Sequence, residues 1–297
     1  MIILDAKYIA LAQMAVGGGL MGMAYALVAY GFQLTYAAGK AVNFGQGELV
    51  MLGAFAGISL AGTGLPYWVS VLGAMVAGAV LGWFVERVAV RLALKQHNEG
   101  WILLTIIVGL FALSSVENIW GRDDRPFPAP WPAGALDFFG ISVTWPELAI
   151  AMGAMGIMTL VELAKRYTMA GIAVQAVSAD PEAAELCGVR SRSAISLSWA
   201  VSGAAAAFAG TVIGPVTTVG PTMAAALTLK AFSVAVVAGL DSGFGLVIAG
   251  IALGAVENLS GYVLGSGWRE APGLILLILA LALRPQGVFG KKIIRKV

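Results

Sequence analysis

Long apolar runs with few charges alternate with short polar connections along nearly the whole chain. The runs lie at 9–30, 46–63, 66–86, 101–119, 146–164, 194–213, 225–240, 244–263 and 268–284. A hydrocarbon core about 30 Å thick takes roughly 20 helical residues per crossing, so each run predicts one transmembrane helix. The expected fold is all-α, a single transmembrane domain over 1–297 with about nine spanning helices and a range of eight to ten. Some of these are expected to be broken where glycine and polar residues interrupt the run. Glycine is dense at Gly17-Gly18-Gly19, Gly203, Gly210, Gly214, Gly239, Gly243, Gly245, Gly250 and Gly254. In a bilayer small faces let helices approach closely, so these positions predict helix crossings.

Two connections are long enough to carry structure of their own. In the loop 165–192, Asp180 suits an N-cap, Pro181 the first helical position, Glu182 and Glu185 the positive end of the helix dipole, and Gly188 the stop. A short polar helix through Ala183 and Ala184, flanked by Arg190 and Arg192, is therefore expected at a membrane face, placed to be gripped from outside the bilayer. The loop 120–145 mixes Arg122, Asp123, Asp124 and Arg125 with Pro126, Pro128, Pro130 and Pro132, a composition that favours extended backbone over helix. Trp120, Trp131, Trp145, Tyr67 and Trp68 suit the aromatic belt of a membrane interface.

Composition agrees with this class, being 59% apolar and 11% charged. Thirteen of the 18 basic residues (Lys40, Arg87, Arg91, Lys95, Lys165, Arg166, Arg190, Arg192, Arg284, Lys291, Lys292, Arg295 and Lys296) fall on one side when nine spans alternate. The positive-inside rule makes that side cytoplasmic, with the N-terminus outside and the C-terminus inside. Asp5 and Lys7 precede the first run without a basic leader region, which predicts the start of a mature protein. The net charge of +2 gives no reason to expect a nucleic-acid partner. Cys187 is the sole cysteine and His97 the sole histidine, so neither an intrachain disulfide nor a cysteine-based metal cage can form, and no catalytic or nucleotide-binding motif is present. The chain is expected to be a transport subunit and not an enzyme, with any ATP-driven step in another subunit.

Three places carry candidate chemistry. Asn43-Phe44-Gly45-Gln46-Gly47-Glu48 predicts irregular backbone that opens a new helix at Gln46 or Gly47. It is either a break at membrane depth, where it must be buried in protein or line a cavity, or an ordinary cytoplasmic turn with Glu48 as a first-turn acid. Lys230 lies inside an apolar run, where an unpaired charge costs roughly 2.5–3.5 kcal/mol, so it predicts a pair with an acid from another helix or, less expected, contact with a substrate carboxylate. Glu117 and Glu257, beside Asn118 and Asn258 at outer helix ends, are candidates for docking an external partner. They also match across a 140-residue offset that includes Ala112-Leu113 and Ala252-Leu253, a pattern too short to tell a repeat from coincidence.

Taken together, Tyr25-Ala26-Leu27, the 43–49 segment with Met51-Leu52-Gly53-Ala54, Ala179-Asp180-Pro181-Glu182-Ala183-Ala184, Leu229-Lys230-Ala231-Phe232 and, most specifically, Leu283-Arg284-Pro285-Gln286-Gly287-Val288-Phe289-Gly290 resemble the LivH-like permease subunits of branched-chain amino-acid ABC importers. The likeness runs from about Gly19 to Gly290. It implies a prokaryotic inner-membrane importer whose pore is formed by this subunit and a second, usually different permease. Two cytoplasmic ATPases would supply ATP and Mg, with no cofactor in this chain, and a periplasmic binding protein would deliver solute. The 180–189 helix would be the coupling helix seated in an ATPase groove. Many relatives have Ala-His where this chain has Gly45-Gln46, which removes a titratable group. Urea, short-amide and organic-acid importers share the permease type, and an ion-coupled secondary transporter is the alternative of a different class.

Overall fold

The computed structural model describes residues 6–95, 100–128, 130–132, 134–138, 140–284 and 286–290. Asp5, His97, Pro285, Lys291, Lys292, Arg295 and Lys296 lie outside them. All nine apolar runs become helices. In chain order, with three further helices (α4, α7 and α8), the helices are α1 (Ala6–Gly39), α2 (Gln46–Gly62), α3 (Tyr67–Val85), a short α4 (Arg91–Lys95), α5 (Trp101–Trp120), α6 (Trp145–Tyr167), α7 (Met169–Ala179), α8 (Pro181–Leu186), α9 (Ser191–Ile213), α10 (Met223–Ala238), α11 (Gly243–Leu264) and α12 (Ala271–Leu283). Seven helical segments are long and apolar enough to cross a membrane. The α2 and α10 helices, with 17 and 16 residues, are apolar but shorter. At 1.5 Å per residue they reach only about 25 Å.

Successive long helices run between two ends. One end carries α8 and the other the loop 121–144. The central α1, 34 residues long, links them. Near its start Gln13 exchanges hydrogen bonds with the Ser142 backbone, and near its finish Ala38 packs with Val174, Val177, Ala184 and Ala194 under α7 and α8. Between these, Ala24, Ala26, Leu27, Val28, Ala29 and Phe32 have no exposed surface, so α1 is the core of the bundle.

Glycine sets the helix spacing, as the dense glycines predict. Gly18 and Gly22 of α1 lie against Gly254 and Gly250 of α11, each separated by four positions so that both fall on one helix face. Gly78 and Gly82 of α3 meet Gly203 and Trp199 of α9 in the same way. A further contact closes the α8 end. The Gln286–Gly290 segment folds back so that the amides of Val288 and Phe289 donate to the carbonyls of Val237 and Ala238, with Gly239 and Gly287 both at positive φ where the two backbones meet. This gives the C-terminal motif a structural job.

Three features depart from the sequence expectation. The loop 120–145 contains a small hairpin, β1 (Ala135–Phe138) paired antiparallel with β2 (Ile141–Thr144), added to an otherwise all-α fold. Four-residue strands beside a proline-rich stretch gave too weak a period to be seen. Ahead of the hairpin, Phe127 inserts beside Gly57 and Gly214, and Tyr67 and Trp68 pack on Trp131 instead of only facing an interface. The loop 165–192 holds a second helix, α7, started by Thr168, whose hydroxyl accepts from the Gly171 amide at 3.0 Å. Finally, α3 continues into a π-helical turn, Glu86–Val90. That turn places Glu86 against Arg91 at 2.9 Å and the Ser196 hydroxyl at 2.6 Å, so one of the basic residues expected at the cytoplasmic side is paired with a buried acid.

Candidate functional site

The helix predicted at Gln46 or Gly47 starts at Gln46, and the break before it is buried. After Gly39 the chain turns at Lys40, which sits at φ 51°, then extends through Ala41, Val42 and Asn43, all buried. Gln46 ends level with Gly31 of α1 and with Ser202, the midpoint of α9. The irregular segment therefore lies inside the bundle, where protein groups satisfy its amides as a bilayer cannot.

The Gln46 side chain organises this break. Its Oε1 accepts from Asn43 Nδ2 and from the Ser202 hydroxyl, each at 3.2 Å, while its Nε2 donates to the Ser202 carbonyl at 3.4 Å. Asn43 Oδ1 in turn accepts from the Gly45 amide, and the single Ser202 hydroxyl proton is shared between Gln46 Oε1 and the Gly31 carbonyl, the nearer acceptor at 2.9 Å. A Cβ on Gly31 would lie 2.0 Å from Gln46 Nε2, so only glycine leaves room for the carboxamide. The amide thus supplies without titration the links that pin α1, α2 and α9. Gln46→Leu keeps the volume but leaves Asn43 and Ser202 short of partners, an expected cost of about 1–3 kcal/mol. A thermal melt of the purified protein checks this, and an unchanged midpoint would show the network to be dispensable.

Glu48, two residues on and so on another face of α2, points elsewhere. Its carboxylate meets Gly109 of α5, and Oε2 is buried without a hydrogen-bond partner among the described residues. It borders a cavity of about 200 Å³ that also touches Asn43, Gly45 and Thr105. Phe44 stacks on Trp101 at 6.4 Å and touches Phe232 at 5.6 Å, and Phe232 meets Phe32 at 5.9 Å, so an aromatic layer crosses the bundle at this level. Gly47 lies against the Ala224 carbonyl and the Thr228 hydroxyl of α10. The break and α10 are therefore neighbours.

Lys230 pairs with an acid from another helix, as a charge within an apolar run requires. The acid is Glu257 of α11, and the ammonium also lies 5.5 Å from the Tyr25 ring. Glu257 is 3% exposed, and Arg269 approaches its carboxylate at 4.0 Å. Its expected place at an outer docking surface is thereby corrected. The side chain turns inward because the Lys230 charge has to be compensated, and Asn258, bonded to Arg269 at 2.7 Å, remains at the surface. Glu117, at the matching position of α5, instead pairs with Arg122 at 3.1 Å and stays partly exposed, so the two copies of the 140-residue pattern have different surroundings.

The α8 helix has the local structure its residue types predict. Asp180 Oδ1 accepts from the amides of Glu182 and Ala183, both at 3.0 Å, Pro181 occupies the first turn, and Gly188 takes φ 85° just past the end. Ala184 is buried against Val177 and Ala194, anchoring the helix to the bundle. Ala183, Glu182, Glu185 and Arg190 face outward. Leu186, next to Glu185 on α8, is 90% exposed, an apolar side chain beside the acids that sequence reasoning overlooked. Its signal was available, since Leu186 is the one large apolar residue within a polar helix.

The model of the family described as branched-chain amino acid transport system / permease component matches residues 14–283. Among curated relatives, the high-affinity branched-chain amino acid transport system permease protein LivH of Escherichia coli K12 is 29% identical, with 96% of this chain and 97% of that protein covered. LivH of Salmonella typhimurium is 28% identical and BraD of Pseudomonas aeruginosa 26%, each over the same shares. With a buried break, a compensated intramembrane charge and a capped helix at one end of an apolar bundle, this multi-pass membrane protein belongs to the family of branched-chain amino acid transport system permease components.

Proposed function

We propose that this chain is the permease subunit of an ATP-binding-cassette importer that carries branched-chain amino acids into the cell by alternating access. The observation that carries the proposal is α8, a capped, acid-bearing helix with an exposed Leu186, fixed to the bundle through Ala184. A large apolar side chain among exposed acids gains little by facing water, so Leu186 suits a protein groove. The residues Asp180, Pro181, Glu182, Ala183, Ala184, Glu185, Gly188 and Arg190 would form the ATPase-coupling element. Asn43–Glu48 and Lys230 would border the substrate pathway, and Glu117 would remain to meet an external partner.

The partners that follow are two cytoplasmic ATPases carrying ATP and Mg, a second and different permease subunit, and a periplasmic binding protein. The α8 end would be cytoplasmic, because Lys40, Arg87, Arg91, Lys165, Arg166, Arg190, Arg192 and Arg284 gather there. Nucleotide binding in the ATPases would shift α8, and through Ala38 the end of α1, so that glycine-packed helices move as bodies. Co-expression with its candidate ATPase and second permease tests this. A co-purifying complex whose proteoliposomes take up leucine only with ATP and binding protein is expected. Uptake by this chain alone on an ion gradient would overturn the proposal.

A further inference from the structure

Beside the Lys230–Glu257 pair lies a cavity of about 460 Å³, on the side of α10 and α11 away from α8. It opens between Thr217-Thr218 and Ser266-Gly267, and its floor reaches Lys230, seven residues into α10. Four charged side chains line it, Lys230 and Arg269 against Glu257 and Glu270. Beside these charges the wall is apolar, built from Met21, Ile213, Met223, Ala226 and Leu227. A volume in this range holds a small ligand.

We infer that this cavity is a recognition site for the α-amino-acid zwitterion itself, within the permease and separate from any binding protein. The inference rests on the importer proposed above. Two cations and two carboxylates sum to zero, so a lone anion or lone cation would meet as much repulsion as attraction. A ligand carrying one ammonium and one carboxylate a few bonds apart can satisfy both signs at once. Lys230 has three donors, of which Glu257 takes one among the described residues, leaving donors for a substrate carboxylate. The carboxylates of Glu257 and Glu270 would receive the ammonium, and the apolar wall would take a branched aliphatic side chain. Stability alone does not explain the pair, because replacing a buried ion pair by apolar residues is often neutral or stabilising. Its chemistry suits a ligand that shares the charges.

Equilibrium binding of tritiated L-leucine to the assembled permease–ATPase complex in nanodiscs, without binding protein, tests the site. Saturable binding is expected, with leucinamide and 2-hydroxy-4-methylpentanoate, each lacking one charge, competing at least about tenfold more weakly. The paired change Lys230→Met with Glu257→Leu keeps the volume apolar and should weaken leucine binding about a hundredfold in complexes that still assemble. Should that variant fail to assemble, Arg269→Gln, at a half-exposed position, decides by an expected loss of about tenfold. Wild-type affinity in the variant that assembles, equal competition by either analogue, or no saturable binding would overturn the site. ATP-driven uptake by the wild-type complex with binding protein, measured on the same preparations, separates the two claims. Leucine uptake without a saturable permease site overturns this inference alone, whereas no uptake of any branched-chain amino acid overturns the importer reading and this inference with it.

Discussion

Reversing the charge of α8 with Glu182→Lys and Glu185→Lys should lower ATP-driven uptake about a hundredfold while leaving the protein folded and inserted. Both acids are exposed and make no ion pair among the described residues, so the folded state loses only the interaction of Glu182 with the positive end of the helix dipole, about 0.3–1 kcal/mol, while Glu185 lies in the last turn, where a lysine suits the dipole better. The Asp180 cap and the buried Ala184 are untouched. A partner groove matched to two negative charges would instead meet two positive ones, and like charges in contact cost several kcal/mol across an interface. Leu186→Glu should act in the same direction by removing the apolar contact. The measurements are uptake and ATP hydrolysis on one reconstituted preparation, together with the amount of ATPase that co-purifies. Uptake at wild-type level in both variants would remove α8 from the coupling path. Asp180→Ala, which costs about 1 kcal/mol of local helix stability, should give an intermediate loss.

The span pattern and both ends of α8 were legible because each rests on local chemistry. A run of apolar residues, an Asp-Pro pair and a glycine at positive φ all act within a few positions of themselves. Lys230 was half legible. That it needed an acid follows from its own environment, but that the acid is Glu257 depends on how α10 and α11 lie beside α1, and no spacing within one helix carries that. Glu86 shows the same limit more strongly. Its partner Arg91 is only five positions away, yet the pair is buried because a π-helical turn rotates both toward Ser196, 105 positions beyond Arg91. The depth of the 43–48 break likewise depends on Gly31 and Ser202, which hold the Gln46 carboxamide from two other helices. For the cavity beside Lys230, its four charges come from α10, α11 and the turn before α12, so it exists only once those elements meet.

Gly22→Val is expected to be among the most disruptive single changes in the bundle. A Cβ at Gly22 would lie 2.1 Å from the Gly250 carbonyl oxygen and 3.1 Å from the Ile251 Cα, so the obstacle is backbone and no rotamer relieves it. Overpacking a core typically costs 1–3 kcal/mol when side chains can shift. Here α1 and α11 must separate along the crossing that also holds Gly18 against Gly254, so at least about 3 kcal/mol is expected, or roughly a 10 °C fall in melting midpoint for a protein of this size. Gly156→Ala on α6 is the matched control, because a Cβ there meets nothing within 4 Å and alanine is the better helix former by about 1 kcal/mol. Thermal melts followed by intrinsic fluorescence should rank Gly22→Val far below wild type and Gly156→Ala at or above it. A Gly22→Val midpoint within about 2 °C of wild type would mean that the crossing is loose enough to open. In that case α1 could slide against α11, and the two helices could not transmit a displacement of α8 as one body. The same melt therefore tests the packing and the rigid-body step by which partner ATPases would drive the permease.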